Sequence, residues 1–288
     1  MALYYNHNTI MNNTYITAPT QKVSVNGTTF TYRVTGNTEG IPLILLNHLT
    51  GTLDNWDPRV VDGLAKEHTV IAFNNRGVGS SGGKVPLTVE EMAADTISFI
   101  KALGYEKVNL LGFSLGGMIA QYVIQQSPQL VNKLILAGTG PAGGVGIENV
   151  TKLTLLDMLR AAVTLNDPKV FLFFTRTSNG KKSAKAFLGR LKERTQNRDA
   201  AIAIPAFRRQ LKAIHRYGLQ KPVDLSYITQ PTLVANGDDD RMVPTSNSED
   251  LAKRIKNSRL EIYPDAGHAG IFQYYGQFIK TALGFLKG

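Results

Sequence analysis

The chain contains no cysteine. Disulfides, thiolate metal sites and cysteine nucleophiles are therefore excluded. No run approaches the ~18 apolar residues of a membrane-spanning helix. The opening stretch, Met1 to Asn8, lacks a basic segment followed by an apolar one and does not read as a secretory signal. Together these absences lead us to expect a cytoplasmic protein with no membrane partner. There is no Walker sequence, no H-E-x-x-H pair, no internal repeat and no low-complexity tract. Residues 1–20 are polar and read as a loose arm.

What is present is a chain of 288 residues, 43% hydrophobic, enough for one large domain or one domain with an insertion. The net charge of +10 is unevenly placed. Between Pro141 and Arg216 stand fifteen Lys or Arg and five acids, so the rest of the chain is neutral. That basic block lacks a recognised nucleic-acid motif and has few interleaved aromatics, so no nucleic-acid partner is expected. It reads as a solvated helical surface, with attraction of anionic substrates or an acidic partner as the alternative.

Hydrophobic periodicity divides the chain along the same lines. Gln21 to Thr35 alternates around Asn26-Gly27, a β-hairpin signal. Short continuous apolar runs follow at Pro42–Leu46, Thr69–Phe73, Val108–Leu111, Leu134–Ala137, Thr232–Ala235 and Leu260–Tyr263. Such runs suit strands buried on both faces. Helical patterns lie between them at Val60–Lys66, Val89–Leu103, Leu115–Gln126, Ser248–Lys256 and Phe272–Phe285. Thr88 with Glu91 reads as a capping box, and Gly104 as the glycine just past the helix end. Alternating strands and helices predict an α/β fold with a mostly parallel β-sheet flanked by helices. From about Pro141 to Pro222 the pattern is helical only. We therefore expect a core from 21–140 and 217–288, with 141–216 a basic helical insertion.

The most informative segment is Gly112-Phe113-Ser114-Leu115-Gly116-Gly117, a G-x-S-x-G pattern between a predicted strand and a predicted helix. A serine on such a sharp turn is exposed and strained, and glycines on either side let strand and helix approach. The pentapeptide alone also suits a turn with no chemistry. A serine nucleophile needs a base, an orienting acid and oxyanion donors. Of five histidines, His268 follows the last strand, where a loop reaches the carboxyl edge of a parallel sheet. His7, His68 and His215 read as surface residues. The acid must come from Asp238-Asp239-Asp240, because the loop after Leu134–Ala137 contains none.

Two G-x-G-x-x-G matches, beginning at Gly77 and Gly138, run into loop rather than helix. They argue against a dinucleotide site.

The order Ser114, Asp, His268, with the elbow and the strand pattern, resembles the α/β-hydrolase fold family from Gln21 onward. It is most similar to small capped members grouped with esterases, cofactor-free haloperoxidases and C–C bond hydrolases. The family's G-x-x-D-x-x-V-P loop matches Gly237 to Pro244 and implies Asp240 as the acid. The resemblance also implies an inserted helical cap, no metal, no organic cofactor, and oxyanion donors at the backbone N–H groups of Leu49 and Leu115. It admits a homodimer. Asn47-His48 stands where the family has His-Gly, so His48 either lines the pocket and contacts substrate or holds its own loop by hydrogen bonds. Asn74 replaces an aspartate that precedes Arg76, so a neutral hydrogen bond between them is expected.

A serine at position 114 argues against relatives with an aspartate nucleophile. The resemblance therefore implies acyl-enzyme hydrolysis of a small-molecule carboxylic ester, with lactone, C–C bond and perhydrolysis chemistry as alternatives on the same triad. A ligand receptor or scaffold with a slow triad is the alternative from another class. Phe171, Phe173, Phe174, Phe187 and Phe207 wall a pocket or, at such spacings, form the core of the helical insertion.

Overall fold

The apolar runs assemble into one eight-stranded sheet in a computed structural model that describes residues 13–36 and 39–288. The strands are β1 (Gln21–Val25), β2 (Thr28–Thr35), β3 (Leu43–Leu46), β4 (Val70–Phe73), β5 (Val108–Phe113), β6 (Val131–Ala137), β7 (Thr232–Gly237) and β8 (Ser258–Tyr263). Their order is β1-β2-β4-β3-β5-β6-β7-β8. β2 pairs antiparallel with β1 and β4, and all remaining pairs are parallel. Asn26 and Gly27 both take positive φ, 49° and 76°, as a two-residue hairpin turn requires.

The continuous apolar runs have a simple cause. Alternate residues of each strand enter two different cores. Ile44, Leu46, Ile71, Phe73, Leu110 and Leu134 pack on one face, against α2 (Val89–Ala102), α3 (Leu115–Gln126) and α8 (Thr245–Arg254). Leu43, Leu45, Val70, Ala72, Leu111 and Ile135 pack on the other, against α1 (Pro58–Leu64) and α10 (Tyr275–Lys287). A strand covered on both sides has no polar face to show.

Several expectations need correction. Residues 1–12 lie outside the described residues, His7 among them, but residues 13–20 are not a loose arm. Tyr15 is buried, its hydroxyl donates to the Leu53 carbonyl (2.5 Å), and its N–H donates to Asp62 (2.6 Å). Burial of the ring outweighs the polar character of its neighbours. At the start of α2, Thr88 accepts from the Glu91 N–H (3.2 Å), but the Glu91 carboxylate takes the N–H of Leu87, not that of Thr88 (3.3 Å). The last helical pattern is split into α9 (Gly270–Gln273) and α10 at Tyr274.

Between β6 and β7 run four helices: α4 (Val150–Thr164), α5 (Lys169–Phe173), α6 (Ser178–Arg190) and α7 (Ile204–Gly218). All four lie in the stretch whose pattern is helical only. Most cations of the basic block are exposed, but a few arginines are tethers. Arg190 forks onto the buried Asp57 (2.6 Å), and Arg194 donates to the carbonyls of Ile16 and Ala18 (2.9 and 3.0 Å). Arg209 and Arg216 reach the carbonyls of Val85 and Leu87. These bonds fasten the β6–β7 helices to the rest of the molecule, because a guanidinium can satisfy several acceptors at once.

Candidate active site

The parallel strands place their carboxyl ends together, and the loops that leave them supply the site. At the end of β5 the chain turns into α3 through Ser114, whose φ is 56° and ψ −117°. For a residue with a Cβ this is a strained conformation, costing about 1–3 kcal/mol. The turn closes only because its neighbours are small. A Cβ on Gly116 would run into the Leu46 carbonyl, and one on Gly112 into the backbone of Gly116. The Ser114 N–H is held by the Ala137 carbonyl (2.9 Å), and Thr139 Oγ1 donates to the Ser114 carbonyl (2.9 Å). Backbone packing, not side-chain preference, holds the serine in this pose.

Across the cavity, Asp240 follows β7 and His268 follows β8. His268 Nδ1 donates to Asp240 Oδ2 at 2.7 Å, with both residues buried. The other oxygen of Asp240 accepts from the N–H groups of Met242 (2.8 Å) and Val243 (3.0 Å). The carboxylate is thus fully occupied and fixed, and Nε2 is left as the ring nitrogen able to take a proton. Phe113 and Phe173 pack on the His268 ring, with centroids 5.1 and 5.7 Å away. The Phe173 carbonyl, at the end of α5, accepts from the Ala269 N–H (2.9 Å). Asp238 has a different task, accepting from the Ala266 N–H (3.1 Å) to tie the two strand-end loops together.

The loop after β3 is unusual in how completely its amides are used. The His48 N–H donates to Asn47 Oδ1, Thr50 to Gln210 Oε1, Gly51 to the His48 carbonyl, Thr52 to Asn55 Oδ1 and Leu53 to Asp199 Oδ2. Among the described residues, the Leu49 N–H has no such partner. The Leu115 N–H, at the first position of α3, has none either. Leu49 lines the same cavity as Ser114, and Leu115 directly follows the serine in the chain.

His48 is both a loop residue and a wall. Its Nδ1 donates to the Leu49 carbonyl (2.6 Å), and its ring stands edge-on to Phe113 and Phe173. A carbonyl can only accept, so the proton of the neutral ring sits on Nδ1. Burial, then the Lys169 ammonium, push the pKa of His48 down to about 3. The imidazole is therefore neutral across the working pH range.

Ser114, His268, His48 and Leu49 all line one cavity of about 310 Å³, with Met158, Phe173 and Phe207 also on its wall. The aromatic residues of the β6–β7 helices divide: Phe173 and Phe207 line the cavity, whereas Phe174 and Phe187 are buried in the core. Phe171 instead lies under the Arg160 guanidinium. His215 is exposed, as expected, while His68 is half-buried at the end of α1. The expected Asn74–Arg76 bond does not form. Arg76 pairs with Asp95 (2.7 Å), and Asn74 donates to Thr31 and Asp199 (2.9 and 2.6 Å). Asn74 is thus tied to a carboxylate brought from residue 199 rather than to Arg76. Gln210 and Asp199 are the contributors that sequence reasoning missed. No spacing marks them, because both act across the fold. Among the described residues no cluster of side chains suits a metal ion, and no helix is long and apolar enough to cross a membrane.

An elbow serine on a mostly parallel eight-stranded sheet, with the His–Asp pair on the last two strand-end loops, defines the α/β-hydrolase class. The chain belongs to that family: the family model for the alpha/beta hydrolase fold matches residues 41–274. Among solved structures, an alpha/beta hydrolase fold protein from Chitinophaga pinensis is similar at 40% identity and a TM-score of 0.89, over 95% of this chain and 99% of that one. A putative carbamate hydrolase, RutD, from Variovorax paradoxus is 28% identical over 88% of this chain and 95% of its own length. The human serine hydrolase BPHL is 25% identical over 92% of this chain and 86% of its own.

Proposed function

We propose that the protein is a serine hydrolase that cleaves a small carboxylic ester or a related activated carbonyl compound through an acyl-enzyme. The observation that carries this reading is that Ser114, strained at its elbow, opens onto the same cavity as His268, whose far nitrogen is already bound to Asp240. In this reading Ser114 Oγ attacks the carbonyl carbon while His268 Nε2 takes its proton. Asp240 holds the imidazole in the required tautomer and stabilises its charged form. The negative charge that develops on the carbonyl oxygen is met by the N–H groups of Leu49 and Leu115, which are fixed before reaction. His268 then returns the proton to the leaving group. Water attacks the acyl-enzyme by the same route in reverse, freeing Ser114. Every step uses side chains and amides of this chain, with no cofactor.

The β6–β7 helices act as a cap that sets which substrates enter. Its cavity walls are mainly apolar and the cavity is small, which favours a compact acyl or alcohol group. The relatives named as serine and carbamate hydrolases support the acyl-transfer reading and place carbamates beside esters as substrates to test. Labelling with a fluorophosphonate probe, followed by a panel of aryl esters, lactones and carbamates, checks the proposal. We expect stoichiometric labelling that disappears in Ser114→Ala, together with hydrolysis of at least one panel member. Intact protein that never labels would reject the enzyme and favour a receptor that merely keeps the constellation.

A further inference from the structure

The cavity wall carries a cation that the proposed chemistry does not use. Lys169, the first residue of α5, lines the cavity together with Ser114, His268 and His48. Among the described residues it is the one lysine or arginine on that wall. Its side chain is only 21% exposed, unusual for a residue type that is almost always solvated. Apart from Asp167, which also lines the cavity, the wall around it is apolar, with Pro168, Leu172 and Phe173 nearest in sequence. The ammonium has one carboxylate neighbour, Asp167, at 3.6 Å. That is longer than a charge-assisted hydrogen bond of 2.7–2.9 Å. The same oxygen of Asp167 already accepts the Lys169 N–H at 2.9 Å, and its side chain is the more exposed of the two, at 39%. Asp167 therefore serves the start of α5 and leaves the ammonium with donors to spare.

We propose that Lys169 forms an anion subsite, so that the preferred substrates are esters or lactones whose acyl part carries a carboxylate a few carbons from the scissile carbonyl. The subsite rests on the serine-hydrolase reading for its position relative to the reacting carbon. Lys169, His48, Leu49 and Ser114 line one cavity of about 310 Å³, so a short linker spans the bound anion and the acyl carbonyl. A carboxylate there meets an ammonium in surroundings poor in competing water, where a charged hydrogen bond is strongest. The positive excess of the surrounding helices adds attraction at longer range, which salt weakens.

The test compares 4-nitrophenyl pentanoate with 4-nitrophenyl hydrogen glutarate, identical in carbon count but with a carboxylate replacing the terminal methyl. Rates are taken over a Ser114→Ala blank, which removes any self-cleavage of the glutarate ester. We expect kcat/KM to favour the glutarate ester by about tenfold, mainly through KM, consistent with one charged hydrogen bond. The ratio should fall to about one in Lys169→Met, recover in part in Lys169→Arg and shrink as salt is raised. Equal rates for the two esters, or a ratio that Lys169→Met leaves unchanged, would overturn the subsite. So would preference for the cationic 5-aminopentanoate ester, which would assign the wall to Asp167. Calorimetric binding of the uncleaved 4-nitroanilides of glutarate and pentanoate to Ser114→Ala reads the subsite apart from turnover. Tighter, Lys169-dependent binding of the glutarate anilide without any esterase activity would keep the subsite and reject the hydrolase, and equal binding would reject the subsite alone.

Discussion

On the acid–base side of the site, Asp240 is fixed by amides two and three residues away and reaches His268 across 28 residues. On the side proposed to hold the oxyanion, Thr50 is held by Gln210 and Leu53 by Asp199, which are 160 and 146 residues distant. The first half is therefore preset by two neighbouring strand-end loops. The second depends on the β6–β7 helices docking against the sheet. If that contrast is real, damage to the first should appear as lost chemistry, and damage to the second as lost stability together with a misplaced oxyanion amide.

The largest expected effect is Asp240→Asn. It keeps the shape of the pair but reverses the tautomer His268 needs, so kcat should drop by about 10⁴ with the fold intact, as seen by circular dichroism and steady-state kinetics on the best panel ester. Next comes Asp199→Ala. The Asp199 carboxylate accepts from Leu53, Asn74 and Ser80, and its removal leaves those donors poorly met. A loss of about 2–3 kcal/mol in urea unfolding is expected, larger than any loss from an exposed pair such as Arg254–Asp250. Gln210→Ala should leave KM nearly unchanged and lower kcat by about tenfold, a fraction of what complete loss of an oxyanion donor costs. An unchanged kcat in that variant would dissolve the contrast between the two sides.

The last expected effect is a slope. The unfolded chain binds a proton at His48 below about pH 6.5, which the native protein refuses until about pH 3. Stability should therefore fall as pH falls through that window, by at most about 1.4 kcal/mol per pH unit from this group. His48→Phe should show a shallower decline between pH 6 and 4 than the parent, measured as the difference in urea midpoints.

The same contrast shows how much could be read from the sequence. The elbow was legible because Gly112, Ser114 and Gly116 lie within five residues, and a strand and a helix announce themselves by local periodicity. His268 and Asp240 were legible as residues on strand-end loops, although Asp240 was separated from Asp238 and Asp239 only by resemblance. Gln210 was not legible. It sits in an amphipathic helix, and its partner is a backbone amide that no side-chain pattern betrays. Tyr15 was hidden for a related reason, being one aromatic in a polar stretch whose burial depends on Leu53 and Asp62 far along the chain. Most of the basic block is solvated, but its tethering arginines were not legible, because charge composition does not say which guanidinium meets a carbonyl. Arg190 and Arg194 became tethers only once Asp57 and the backbone of residues 16–18 were placed beside them.

By itself the sequence determined the alternation of buried strands and covering helices, the strained turn at Ser114 and the chain order of the three polar residues. These follow from side-chain period and from where glycine is needed, which are local properties. The tertiary structure alone decided that the Leu49 amide is left unpaired, that His48 is a neutral wall, and that Lys169 faces the cavity. Each depends on which distant groups compete for a hydrogen bond or exclude water, and that competition exists only after the chain has closed on itself.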